Sequence, residues 1–178
     1  MGSENASEFG NIHVYTGDGK GKSTAAIGLA IRALGAQKRV LFVQLMKERR
    51  YSECLSMERF AGRLDWVRYG EGLCLQATPT RENRLDMSTG VAEVSTRMQD
   101  GKYDMVVLDE LNTVVHNGFL PLSVALELID SKPAMVELVL TGRHAPQEFI
   151  ERAHLVTEMK EIKHYSTTGP QVRIGIEI

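Results

Sequence analysis

Residues 16–24, TGDGKGKST, set Gly17, Gly19 and Gly21 at alternate positions ahead of a Lys22-Ser23 pair. These residue types at this spacing are suited to holding phosphate. Glycine tolerates the backbone conformations that turn successive N–H groups inward to form an anion-binding nest, and a helix starting near Ser23 adds its positive end. The Lys22 ammonium can reach phosphate oxygens, and the Ser23 hydroxyl is the expected ligand for Mg2+. Lys20 adds local charge or simply faces water. The spacing departs from the common phosphate loop, a Gly, four residues, then Gly-Lys-Ser/Thr. Counting back from Gly21 puts Thr16 where that first Gly belongs, with Gly17 one place late. The alternative, a glycine-rich turn without chemistry, is disfavoured by the strand before it, the helix after it and the Lys-Ser pair.

A second group completes such a site. In YDMVVLDE, residues 103–110, an apolar run delivers Asp109 and Glu110 to a strand end, where either acid could hold Mg2+ directly or through water. On its own the pair could equally be an acidic opening to a helix. TGRHAP, residues 141–146, places Arg143 just past another apolar strand, and its guanidinium can grip two phosphate oxygens at once. Arg32, on the helix after the loop, is divided between phosphate contact and a solvated surface role. His13, His116 and His154 read as structural, and no pair of histidines has the i, i+4 spacing of a helical zinc site.

The elements that must position these groups alternate along the chain. Strands are expected at 12–16, 38–45, 64–69, 103–110, 136–142 and 154–159. Helices are expected from Ser23 to Gly35, with Ile27, Ile31 and Leu34 at helical spacing, then near 52–60, over 81–98 with Leu85, Val91, Val94 and Met98 as the apolar positions despite Gly90, and over 121–129 and 146–153. Strand and helix in alternation predict an α/β fold, a mostly parallel sheet with helices on both faces, in which ligands gather beyond the carboxyl ends of the strands.

The 178 residues suit one domain, and a formal net charge of −2 gives no general attraction to nucleic acid or membranes, so any polyanion must be caught by a local cluster. Cys54 and Cys74 lack metal-ligand spacing and fit a reducing, cytoplasmic setting. The N-terminal MGSENASEFG is polar, without the apolar core of a secretory signal, and no run of about twenty apolar residues follows. Residues 1–10 are expected to be a flexible lead-in and 11–178 a single ATP-binding domain.

Taken in order, TGDGKGKSTAA, IRALG followed by KRV, VVLDELN, a leucine-rich helix, VLTGRHAP, LVTEM and IKH resemble the P-loop ATP:corrinoid adenosyltransferases, also called cob(I)alamin adenosyltransferases, from about Asn11 to Gly175. The resemblance implies a P-loop NTPase-like (RecA-like) fold. It also implies an activity: the cobalt of a reduced corrinoid attacks the ribose carbon next to the phosphates of ATP, and triphosphate leaves. ATP would then lie reversed along the loop, with which the shifted glycine is compatible. The phosphate-binding set becomes Gly17, Asp18, Gly19, Lys20, Gly21, Lys22, Ser23 and Thr24, with Arg32 added. Lys22, Arg143 and Glu110 carry the chemistry, and Ser23, Glu110 and Asp109 hold Mg2+. The implied partners are ATP and the reduced corrinoid, a flavin-type reductase and a second copy of the chain, with no nucleic acid and no membrane.

Two segments depart from the family pattern. Aromatic residues that press on the corrinoid in relatives correspond to Glu71 and Leu73 in GEGLCL, and in the C-terminal IKHYSTTGPQVRIGIEI an Asp and a Lys are replaced by Thr167 and Gln171. These departures motivate a second hypothesis, a noncatalytic ATP- and corrinoid-binding relative. A third is an ordinary P-loop ATPase or phosphotransferase that cleaves the terminal phosphate.

Overall fold

A computed structural model describes residues 9–46, 52–70, 78–165, 169 and 173–177. The departures at Glu71, Leu73, Thr167 and Gln171, together with Cys74 and the first eight residues, lie outside the described residues. Chain order is β1 (Ile12–Thr16), α1 (Lys22–Gly35), β2 (Val40–Leu45), α2 (Ser52–Met57) with a 3-10 turn at Glu58–Phe60, β3 (Leu64–Tyr69), α3 (Arg81–Gln99), β4 (Met105–Asp109), α4 (Leu111–His116), α5 (Leu122–Asp130), β5 (Glu137–Thr141), α6 (Gln147–Arg152) and β6 (Leu155–Glu158). All six expected strands form, within a residue or two of their expected ends.

The strands make one sheet in the order β3-β2-β4-β5-β1-β6, every neighbouring pair parallel. Parallel neighbours need crossovers, and the helices supply them, which covers both faces. Strand alternation shows the two layers directly. Leu41, Val43, Val106, Leu108, Leu138 and Leu140 join one apolar cluster with Met87, Val91, Val94 and Met98 of α3 and Leu128 and Ile129 of α5. Val40, Phe42, Met105, Val107 and Val139 join the opposite cluster with Ala26, Ala30 and Ala33 of α1 and Met57 of α2. Because all strands run the same way, Thr16, Leu45, Asp109, Thr141 and Glu158 end along one edge of the sheet. Among the described residues, no helix is long and apolar enough to cross a membrane.

Two details differ from the sequence expectation. The buried stripe of α1 is Ala26, Ala30, Ala33 and Leu34, while Ile31 is 44% exposed; small side chains let this helix lie close on the sheet beside the loop it must support. On α3, Leu85 is 65% exposed and Met87 takes the buried place. Gly90 does not break α3, because a Cβ there would stand 2.6 Å from the Tyr69 ring of β3, so the missing side chain makes room for the helix to pack. Helix α3 starts on a capping box in which Thr80 and Asn83 satisfy each other's backbone N–H. Gly10 is already tied down, donating to the Ala134 carbonyl and accepting from the Lys132 ammonium.

Candidate active site

The glycine loop joins β1 to α1 at the carboxyl edge of the sheet. Thr16 remains in strand conformation, paired with Glu158, its carbonyl accepting from Met159 N and its hydroxyl from Ala145 N. No glycine is needed there. The chain turns one residue later: Gly17 has φ +92° and Gly21 has φ +119°, conformations that side chains rarely adopt. Gly17 and Gly19 also press on the segment after β6, where added Cβ atoms would meet the Met159 carbonyl oxygen at 2.5 and 2.6 Å. Gly19 N donates to that same oxygen at 2.6 Å. The LVTEM motif therefore acts as a strap behind the phosphate loop, and the late glycine marks where the loop leaves its strand.

Lys22, the first residue of α1, is buried, and its ammonium donates to the Gly17 and Gly19 carbonyls at 2.7 Å each. Burial pushes its pKa down and the Glu110 carboxylate opposes that, with Arg143 lowering it further and Asp18 and Asp109 raising it. Ser23 is half-buried and Thr24 exposed at the same helix start.

The acid pair sits two strands away, since β5 lies between β1 and β4. Asp109 is fully buried at the end of β4, and its Oδ1 accepts from the Thr141 hydroxyl at 2.6 Å. That hydroxyl in turn accepts from Glu110 N at 3.0 Å. Glu110 turns the chain with φ +70° into α4, so the acidic pair does open a helix and also faces the lysine. Its Oε2 accepts from the Thr113 hydroxyl at 2.6 Å, and Thr113 Oγ1 accepts from Arg143 N at 2.9 Å. Asn112 pins the same loop, donating to the carbonyls of Gly142 and Tyr15. Beyond Arg143, His144 has φ +55° and its ring stacks on His116 of α4 with centroids 4.2 Å apart. Arg143 itself extends over the loop, its guanidinium donating to the Asp18 carbonyl at 3.3 Å with Nε 4.0 Å from the Asp18 carboxylate. Both side chains are more than half exposed, so this pair is weak and readily exchanged for phosphate.

The structure thus brings together Gly17, Asp18, Gly19, Gly21, Lys22, Ser23, Asp109, Glu110 and Arg143. Two expected contributors do not converge. Lys20 turns away to the C-terminal segment, donating to the Tyr165 hydroxyl at 2.7 Å, the Ile176 carbonyl and the Glu177 carboxylate. Arg32 lies in the last turn of α1 and is exposed, about 15 Å along the helix axis from Lys22, because ten residues of helix rise by that much. Thr141 and Thr113 are site residues that the sequence did not point to. Each stands at a legible place, a strand end and one helical turn past Glu110, but hydroxyls carry no marker of their own. The oxygen donors at hand, two carboxylates and the Ser23 hydroxyl, fit a hard cation such as Mg2+.

The family described as ATP:corrinoid adenosyltransferase BtuR/CobO/CobP matches residues 8–178. A corrinoid adenosyltransferase of Pseudomonas aeruginosa is 36% identical over 172 residues, covering 96% of this chain and 84% of the relative. One from Escherichia coli K12 is 34% identical over 179 residues, covering 96% and 86%. Among solved structures, the flagellar accessory protein FlaH of Methanocaldococcus jannaschii superposes with a TM-score of 0.56 at 13% identity, over 84% of this chain and 71% of that one, which is a likeness of fold alone. With a phosphate loop, an acidic pair and an arginine gathered at one sheet edge, and with that match running almost end to end, the chain belongs to the ATP:corrinoid adenosyltransferase family.

Proposed function

We propose that this protein transfers the 5'-deoxyadenosyl group of ATP to the cobalt of a reduced corrinoid. A cobalt–carbon bond forms, the bond between the ribose carbon and the innermost phosphate oxygen breaks, and triphosphate leaves with the electron pair. No side-chain nucleophile is required, and the protein contributes orientation and charge. The observation that carries this reading is the buried Lys22 ammonium, held on its own loop's carbonyls while Glu110 and Asp109 face it from the end of β4. Phosphate oxygens would replace those carbonyls. Arg143, loosely held over Asp18, would close on the leaving triphosphate from the other side.

In this reading Gly17 to Gly19 and Gly21 to Thr24 hold the phosphates, and Ser23, Glu110 and Asp109 hold Mg2+. When bound, the metal neutralises phosphate charge. Arg32 is left to the protein surface or to a second copy of the chain, consistent with its place in the last turn of α1. The same reading takes in a single ATP-binding domain over 11–178, a flavin-type reductase to reach the low cobalt oxidation state, a homodimer and a cytoplasmic setting, with which the buried Cys54 thiol, in no disulfide, is compatible. Incubation with ATP, Mg2+ and chemically reduced corrinoid should yield a light-sensitive alkylcobalt product and triphosphate. ADP and phosphate alone would instead support the ordinary ATPase, and binding without turnover the noncatalytic relative.

A further inference from the structure

We propose that Thr113 is a positioning residue that sets the Glu110 carboxylate and the Arg143 loop relative to each other; this rests on the reading of Glu110 and Arg143 as site residues. Its hydroxyl is buried and makes two hydrogen bonds within the site. It donates to Glu110 Oε2 at 2.6 Å and accepts from Arg143 N at 2.9 Å. Glu110 and Arg143 come from different strand ends, 33 positions apart in sequence, and this hydroxyl is a single atom touching both.

The surrounding backbone is shaped to allow the contact. Gly142 has φ +129°, and a Cβ on it would lie 2.7 Å from Thr113 Oγ1 and 2.8 Å from Thr113 N, so glycine lets the loop settle on the threonine. Asn112 holds the Gly142 carbonyl and His116 stacks on His144, so α4 touches the loop through three of its residues. Thr141 makes the matching link upstream, between the Asp109 carboxylate and Glu110 N. Asp109, Thr141, Glu110, Thr113 and Arg143 thereby form one hydrogen-bonded series. In it Thr113 is the step that passes from acid to arginine. Removing its hydroxyl releases the carboxylate from one fixed orientation and leaves a loop N–H without its acceptor, which loosens both groups at once.

The test compares Thr113→Val, which keeps the shape, with Thr113→Ser, which keeps the hydroxyl. Kinetics of adenosyl transfer would be measured alongside thermal unfolding and calorimetric ATP binding with Mg2+ and with EDTA. Thr113→Val should lower kcat roughly tenfold or more and shrink the gain in ATP affinity that Mg2+ provides, with a smaller loss of affinity in EDTA through the loosened Arg143 loop. Thr113→Ser should restore both. In the Glu110→Gln background, Thr113→Val should add less than it does alone, because only its effect through the Arg143 loop remains. A Thr113→Val protein that melts earlier but keeps native kcat and native Mg2+ gain would overturn the proposal, as would failure of Thr113→Ser to rescue. If Thr113→Val does not fold, Thr113→Ala is judged by the same criteria. Should Glu110→Gln itself be fully active, the assignment of Glu110 falls; should Glu110→Gln be inactive and Thr113→Val native-like, only the role of Thr113 falls.

Discussion

Replacing Gly17 with alanine tests the loop where the structure is most demanding. At φ +92° a Cβ is strained by about 1–2 kcal/mol. It would also stand 2.5 Å from the Met159 carbonyl oxygen and 2.9 Å from Met159 N, both backbone atoms of the strap. Ordinary contact requires that strap to retreat by about 1 Å, which breaks or bends the 2.6 Å bond from Gly19 N to the same oxygen. Losing that bond costs about 1 kcal/mol more. The total, about 2–3 kcal/mol, falls in one of two places. If the loop keeps its shape, the melting temperature falls by roughly 4–12 °C. If the loop distorts instead, ATP affinity falls by roughly 30-fold to 150-fold. Gly28 is the internal control: it lies inside α1, and an added methyl there would meet nothing within 4 Å, so Gly28→Ala should raise stability by about 0.5–1 kcal/mol. Differential scanning calorimetry and ATP titration on both variants decide the matter. A Gly17→Ala protein that melts with the native one and binds ATP equally well would refute the loop geometry and the strap behind it.

Two further predictions concern pH. Because burial holds the Lys22 pKa below the ordinary lysine value, the unfolded chain binds more protons than the native one between those two values, and this group's contribution to apo stability rises with pH in that alkaline window. Triphosphate favours the charged form, so ATP affinity should fall as pH rises through the free-protein pKa. Titrations across that range should show the two opposite trends, and their persistence in Lys22→Ala would contradict the assignment. Asp65 is the reverse case. Lys102, then Tyr103, hold its carboxyl below the usual range, so it stabilises above the ordinary carboxylate pKa and the benefit disappears as pH falls through the folded value. Asp65→Asn should lose under about 1 kcal/mol at neutral pH, given the partial exposure of the pair, and acid melts of the variant should lack that part of the pH slope.

The strands, the loop and the acid pair were legible because local chemistry marks them. Three spaced glycines before Lys-Ser and apolar runs ending in Asp-Glu or Thr-Gly-Arg carry their meaning without knowledge of the fold. Other features depend on which strand lies beside which. Thr141 bonds Asp109 only because β5 sits next to β4, and Thr113 meets Arg143 only because α4 folds back on the loop after β5. Lys20 looks like part of the phosphate grip, but its partners Tyr165 and Glu177 come from more than a hundred residues downstream. Of the spaced residues Ile27, Ile31 and Leu34, Leu34 is buried and Ile31 is exposed, and the face that packs is mostly alanine, since proximity to the sheet selects for small volume. Arg32 stands away from Lys22 for a geometrical reason, helix rise, that residue type does not reveal.

If the loop grips the triphosphate as proposed, cleavage falls at the ribose carbon. ATP carrying 18O in the bridge between that carbon and the innermost phosphate tests this most directly, with 31P NMR and mass spectrometry of the products after reaction with reduced corrinoid. The predicted result is intact triphosphate bearing the label at one terminal phosphate and an adenosyl product free of it. Label retained in the nucleoside, or release of ADP with unlabelled phosphate, would contradict it.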